Sequence, residues 1–106
     1  MDKISASHIL IMHKDSKDSR SGLSKDEALK LINEIHSKLT NNKSSFKDLA
    51  SKHSECSSSA YGGSLGEFGK GMMVKPFEES AFSLKVGEIC EPIETEFGFH
   101  IIKRDK

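Results

Sequence analysis

The stretch of residues 4–12 constrains the fold more than any other, because apolar side chains fall on both of its faces. Written as a strand, it has Ala6, His8, Leu10 and Met12 on one side and Ser7, Ile9 and Ile11 on the other. A strand that is apolar on both sides belongs in a sheet that is covered on both faces. The stretch therefore predicts a sheet with other elements packed above and below it.

Three later stretches carry helical signals. Ser24 and Glu27 match a capping box, in which each satisfies a free backbone N–H group of the other, and apolar residues follow at helical spacing up to the Asn41-Asn42 pair. Ser45 predicts the start of a second, shorter helix. Pro76 suits the first turn of a third helix, for which we expect Gly87 to be the stop.

Three further stretches predict strands. Residues 64–68 predict a short strand between tight turns, and residues 89–95 and 99–104 are typical of a hairpin that turns through Gly98. The order of these elements predicts one α+β domain spanning residues 1–106. We expect a four-stranded, mostly antiparallel sheet surrounded by about four helices.

The net charge and the hydropathy of the chain limit which classes of binding partner we expect. The chain has 16 Lys and Arg against 16 Asp and Glu, whereas a broad nucleic-acid or membrane surface needs a basic excess. The longest apolar run, residues 9–12, is too short to cross a bilayer, and residues 1–4 lack the features of a secretory signal. We expect no nucleic acid, no membrane, a cytoplasmic or nuclear location, and a monomer.

Motifs for metals and cofactors are missing from the sequence. Structural zinc sites bring their ligands in close pairs such as Cys-x-x-Cys, and the sequence has no such pair. The glycines of residues 66–71 do not match a phosphate-binding loop, because Ser64 stands at the position of its first glycine and Gly71 at that of its Ser or Thr. We therefore expect no metal and no cofactor, and we interpret these glycines as turn residues.

Cys56, His8 and His100 are the candidates for direct chemistry. Cys56 follows the second predicted helix and precedes the glycines, where partial exposure is expected, whereas both histidines lie on predicted strands. A cysteine hydrolase needs a thiolate, a base, an orienting group and oxyanion donors. A histidine on a strand serves equally well as a buried structural residue, so the residues alone leave both interpretations open.

Five motifs, met in order along the chain, resemble the parvulin family of peptidyl-prolyl cis/trans isomerases. They are Ser7-His8-Ile9-Leu10, the run from Gly62 to Phe68, the run from Met73 to Glu78, Val86-Gly87-Glu88-Ile89, and the run from Phe97 to Ile102. The run Ser54-Glu55-Cys56-Ser57-Ser58 is similar to the Pin-type branch of that family. Because the chain has no tryptophan, it does not contain the two-tryptophan (WW) domain that precedes many Pin-type catalytic domains.

The resemblance implies rotation about the peptide bond before proline, by a non-covalent mechanism that uses electrostatics and desolvation. It implies that Leu65, Met73 and Phe77 form the proline pocket, although the residues alone predict ordinary core for these three. It also implies that His8 and His100 form a hydrogen-bonded pair supported by Thr95, and that Cys56 faces the rotating carbonyl group. A non-catalytic module that binds proline-containing peptides stays open as an alternative.

The residue before proline is a separate question. Pin-type enzymes that select phosphorylated substrates carry an arginine pair after the first strand, suited to bidentate phosphate binding. Here Lys17 stands at the first of these positions and Asp18 at the second. Lys14, Lys17 and Arg20 could bind a phosphoserine, phosphothreonine or acidic residue before proline, or they could be a solvated surface balanced by Asp15 and Asp18. The expected partners are proline-containing proteins or peptides, phosphorylated or not.

Overall fold

A computed structural model describes residues 3–16, 22–41, 45–54 and 62–106 of the chain. Along the chain these ranges form β1 (Lys3–Ile11), α1 (Lys25–Thr40), α2 (Phe46–His53), β2 (Ser64–Gly69), α3 (Lys75–Ser83), β3 (Ile93–Thr95) and β4 (Gly98–Arg104). The strands form one antiparallel sheet in the order β2-β1-β4-β3. The expected α+β class and four-stranded sheet are confirmed, with three helices in the part of the chain that is described.

The sheet is covered on both faces, as the pattern of residues 4–12 predicted. One buried cluster packs α1 and α2 on the sheet and consists of Ile9, Ile11, Ala28, Ile32, Ile35, Leu39, Phe46, Leu49, Ala50, Phe99 and Ile101. The other packs α3 on the opposite face and consists of Ile4, Ala6, Phe68, Phe77, Ala81, Leu84 and Ile102. Because side chains alternate along a strand, His8 and His100 share the α3 face with the even-numbered residues of β1 and β4.

Local sequence signals account for the helix starts. The Ser24 hydroxyl accepts a bond from the Glu27 N–H at 3.1 Å, and the Ser24 N–H donates to Glu27 Oε1 at 2.9 Å, so the capping box is confirmed. These bonds to Ser24 also hold the pKa of Glu27 below its usual value. Ser45 caps α2 through the Asp48 N–H, and Pro76 lies in the first turn of α3.

Two predicted boundaries are wrong. The third helix ends at Ser83, before the predicted stop at Gly87, because the chain beyond it binds β4: the Arg104 side chain donates to the Leu84 carbonyl at 2.7 Å. The strand predicted over residues 89–95 exists only as β3, with an isolated bridge between Ile89 and Lys103. Pro92 interrupts it, because proline has no N–H group to donate to a sheet.

Candidate active site

His8 and His100 lie on neighbouring strands and face α3. In the register of β1 and β4, His8 is opposite Ile102 and His100 is opposite Leu10, so the two histidines are diagonal neighbours on one face. Their Nδ1 atoms are 3.2 Å apart, and their rings are stacked with centroids 5.3 Å apart. The sheet register thus joins two residues 92 positions apart in the chain into a hydrogen-bonded pair.

Thr95 extends this hydrogen-bonded chain from the other side of His100. Its Oγ1 atom lies 2.7 Å from His100 Nε2 and accepts a bond from the Phe97 N–H at 3.1 Å. Both ring nitrogens of His100 are therefore engaged. Because a neutral imidazole has one donating and one accepting nitrogen, the position of the proton on His100 also fixes the tautomer of His8.

Burial keeps the His100 ring neutral. The residue is 4% exposed, and burial, assisted by the neighbouring His8, lowers the pKa of His100 from 6.5 to about 3. His8 is buried as well, and its Nε2 atom has no hydrogen-bond partner among the residues that the structure describes. Because buried polar atoms rarely lack a partner, this nitrogen is a candidate contact for a bound molecule.

Phe77 joins the histidine pair to an apolar cluster. Its ring stands edge-on to both imidazole rings, with centroid distances of 5.4 Å to His8 and 5.4 Å to His100. Phe77 is buried, and the half-buried side chains of Leu65 and Met73 pack against the same cluster. An apolar surface with Phe77 buried and with Leu65 and Met73 partly exposed thus adjoins the buried histidine pair. This arrangement suits a small apolar ring with an amide attached.

Four further predicted site residues have no contact with the histidine pair that the structure describes. Cys56, Lys17 and Arg20 lie outside the described residues, as does Asp18. Lys14 is exposed, and its backbone N–H donates to the Leu23 carbonyl at 2.8 Å. Roles for these four candidates in catalysis or phosphate binding therefore stay predictions.

Cys90 has a structural contact. Its Sγ atom accepts a hydrogen bond from the Ile102 N–H at 3.2 Å, and burial raises the pKa of the thiol. Because the thiolate is the reactive form of cysteine, a raised pKa makes this side chain a poor nucleophile.

One charged cluster near the site was not predicted from the sequence. Glu94 Oε2 lies 3.0 Å from Lys25 Nζ and 4.0 Å from His13 Nε2. The only local signal is an acidic residue inside β3, opposite the aromatic Phe99. Its partners come from the end of β1 and the start of α1, so the cluster could be found only after the fold was known.

Residues 3–16, 22–41, 45–54 and 62–106 contain no group of three or more His, Cys, Asp or Glu side chains placed to hold a metal ion. Among the helices of these ranges, none has both the length and the apolar character that a bilayer crossing requires.

Many known proteins have a sequence or a fold similar to that of this chain. A family model described as a rotamase, PPIC-type PPIase domain, matches residues 8–106. The chain is 45% identical to peptidyl-prolyl cis-trans isomerase Pin1 of Digitalis lanata, over 97% of this chain and 96% of that protein. It is 48% identical to pin1 of Schizosaccharomyces pombe over 96% of this chain, but it spans only 62% of that relative's length. Its fold matches the solved structure of peptidyl-prolyl isomerase ESS1 from Candida albicans with a TM-score of 0.95 and 35% identity, over 98% of this chain and 63% of that one.

Proposed function

The chain belongs to the parvulin family of peptidyl-prolyl cis/trans isomerases, and on that premise we propose that it rotates X–Pro bonds without a covalent intermediate. The barrier to this rotation is about 18–20 kcal/mol, and no bond is broken on the way. The enzyme therefore has only to bind the twisted amide more tightly than the planar one. A polar solvent stabilises the planar amide, so an apolar site that excludes water favours the twisted form.

The proline ring is held in the pocket of Leu65, Met73 and Phe77. The edge-on contact of the Phe77 ring with both imidazoles, 5.4 Å from each, is the observation that carries the proposal. A ring seated on Phe77 brings its amide next to the histidine pair. Each methylene of the ring that leaves water contributes about 0.8 kcal/mol to binding.

The histidine pair has a positioning and electrostatic role. His100 is neutral, and its two nitrogens are engaged by His8 and Thr95, so it neither donates nor takes up a proton during the reaction. The Nε2 atom of His8 is left to meet the peptide group of the substrate. We propose Cys56 as the neighbour of the rotating carbonyl oxygen, acting through its polarity.

A hydrolase that uses a cysteine and a histidine is less well supported. Such an enzyme needs a histidine nitrogen that is free to act as a base while the other nitrogen is oriented by a third group. Both nitrogens of His100 are engaged, which leaves Nε2 of His8 as the candidate base of the pair. Prolyl isomerisation needs no base, and we therefore prefer it.

We further propose that the enzyme prefers substrates with an anionic residue before proline. Lys14 is exposed at the start of the segment that follows β1, and Lys17 and Arg20 come from the same segment. We propose that these cations favour phosphoserine, phosphothreonine, glutamate or aspartate before proline. Asp18 opposes this preference because its carboxylate repels the same anions.

Exchange NMR on matched peptides tests both levels of the proposal. The peptides carry Ala-Pro, Glu-Pro or phosphoserine-Pro in one sequence, and the proteins are the wild type, Cys56→Ala and the double variant Lys17→Ala/Arg20→Ala. We expect acceleration of all three peptides, with the largest effect on the phosphopeptide, reduced in the double variant. Equal acceleration of all three would contradict the anionic preference alone. Binding without any acceleration would instead indicate a non-catalytic module.

A further inference from the structure

The segment between β1 and α1 is tied to β3 near both of its ends by one carboxylate. Glu94 is the central residue of β3. Its Oε2 atom lies 3.0 Å from Nζ of Lys25, the first residue of α1, and 4.0 Å from Nε2 of His13, two residues after β1 ends at Ile11. The Glu94 side chain thus contacts the residue just before the stretch 14–24 and the residue just after it. We name Glu94, His13 and Lys25 the Glu94 clamp.

The ring of His13 is fixed in the orientation that this contact requires. The residue is buried, and its ring packs against that of Phe99 with a centroid distance of 5.7 Å. Its Nδ1 atom accepts a bond from the Asp15 N–H at 3.3 Å. Because the accepting nitrogen carries no proton, the imidazole has its proton on Nε2, which faces Glu94. At 4.0 Å the contact with the carboxylate is electrostatic, since a hydrogen bond would be shorter.

The Glu94 clamp adjoins the active site. Thr95, the residue after Glu94, binds His100 Nε2 at 2.7 Å. Gly98, the first residue of β4, packs closely against the start of the segment, where a Cβ atom added to it would lie 3.0 Å from the Cα atom of Met12. The hairpin of β3 and β4, which carries His100, therefore contacts the histidine pair through Thr95 and the segment through Glu94 and Gly98.

We propose that Glu94 is a positioning residue that holds the segment carrying Lys14 in register with the histidine pair, and so sets how tightly an anionic residue before proline is bound. This inference rests on the isomerase activity and anionic preference proposed above. The side chains of Lys25 and Glu94 are 55% and 45% exposed, and such exposed ion pairs add about 1 kcal/mol or less to stability. Global stability is therefore a poor explanation for a carboxylate at this position.

Simple electrostatics and the Glu94 clamp predict opposite effects of the same substitution. If Glu94 acts only through its charge, Glu94→Gln removes a repulsive anion and tightens the binding of an anionic peptide. If Glu94 holds the segment, the same change releases its two ends and weakens that binding. A neutral residue before proline makes no use of the Lys14 ammonium group, so its binding does not change in either case.

The experiment measures KM and kcat for three peptides that differ only before proline, where they carry glutamate, phosphoserine or glutamine. Glu94→Gln is compared with Glu91→Gln, which removes another exposed glutamate and changes the net charge equally. We expect Glu94→Gln to raise KM for the two anionic peptides about two- to fivefold, the size of effect that the loss of a weak charged contact produces. We expect kcat on all peptides and KM for the glutamine peptide to stay at the wild-type values.

Three results would overturn the proposal while isomerase activity stands. The first is an unchanged or lowered KM for the anionic peptides relative to Glu91→Gln. The second is an equal loss of kcat on all three peptides, which would place Glu94 in support of the catalytic hairpin. The third is a wild-type enzyme that does not discriminate glutamate from glutamine. A wild-type chain that accelerates none of the peptides would mean that the proposed function itself fails.

Discussion

His100 lacks the change of charge near neutral pH that makes histidine common in catalysis. Histidine usually changes charge near neutral pH, but burial lowers the pKa of His100 to about 3. The ring is therefore uncharged over the physiological range, and hydrogen bonds to His8 and Thr95 fix its orientation. A neutral, oriented imidazole suits a reaction that rotates a bond and moves no proton.

The lowered pKa of His100 predicts a dependence of stability on pH. The unfolded chain binds a proton at this residue near pH 6.5, whereas the folded chain does so only near pH 3. Between these values the unfolded state binds more protons, so the free energy of unfolding falls by up to about 1.4 kcal/mol for each pH unit of acidification. Above pH 6.5 both states are neutral and the residue adds no pH dependence.

Urea denaturation of the wild type and of His100→Gln at pH 7, 6 and 5 measures this contribution. The variant loses the titrating ring, so we expect its free energy of unfolding to fall less steeply with acidification than that of the wild type. Parallel curves for the two proteins would mean that His100 titrates normally in the folded state.

Thr95→Val tests whether the hydroxyl of Thr95 orients the pair. The change keeps the shape of the side chain but removes the hydroxyl that binds His100 Nε2 and accepts from the Phe97 N–H. We expect a loss of about 1–3 kcal/mol in the free energy of unfolding, the cost of an unsatisfied buried polar group, and a lower kcat/KM on an Ala-Pro peptide. Thr95→Ser keeps the hydroxyl and should retain most of the activity. Equal activity of the two variants would exclude an orienting role.

At the scale of elements, local chemistry predicted where helices begin, and long-range contacts decided where elements end. The Ser24 capping box lies within four consecutive residues and could be found by inspection. The end of α3 depends on the Arg104 side chain, which binds the Leu84 carbonyl from 20 positions away. The approach of His8 to His100 depends on the register of β1 and β4, and it was expected only through the resemblance to a family.

A comparison of two glycines with nearly the same φ angle distinguishes the cost of backbone strain from that of a steric clash. Gly63 and Gly87 have φ values of +87° and +86°, in the region that favours glycine. A Cβ at Gly63 would lie 2.5 Å from the His8 carbonyl oxygen and 3.0 Å from the Cβ of Ala50, whereas Gly87 has nothing within 4 Å. Both alanine variants share the backbone cost of about 1–2 kcal/mol, and only Gly63→Ala adds a clash.

We expect Gly63→Ala to lose clearly more stability in urea than Gly87→Ala, and also to lose isomerase activity. The second loss follows because the Gly63 carbonyl accepts the His8 N–H at 2.9 Å, so a shift of β2 moves His8 with it. Similar stability and activity of the two variants would show that the turn before β2 yields without disturbing the histidine.

At the scale of the whole molecule, the two faces of the sheet have different tasks. The cluster under α1 and α2 is built from aliphatic residues and Phe46 and Phe99. The face under α3 combines buried apolar residues with the histidine pair and with the half-buried side chains of Leu65 and Met73. Because β1 and β4 contribute to both faces, packing on one face supports the strands that present the site on the other.

Matched core substitutions on the two faces test this division. Ile35→Val removes one methyl group beneath α1 and should cost about 0.5–1.5 kcal/mol of stability, and Phe77→Leu removes part of a buried ring beneath α3 at a cost of roughly 1–2 kcal/mol. Activity on an Ala-Pro peptide is measured at a temperature where both variants are folded. We expect Ile35→Val to keep the wild-type kcat and KM, because the sheet transmits little of so small a packing change. Phe77→Leu should raise KM and lower kcat, since it removes the ring that contacts both imidazoles. If the two variants lose activity in proportion to their stability, the site depends on the rigidity of the whole sheet and not on Phe77 in particular.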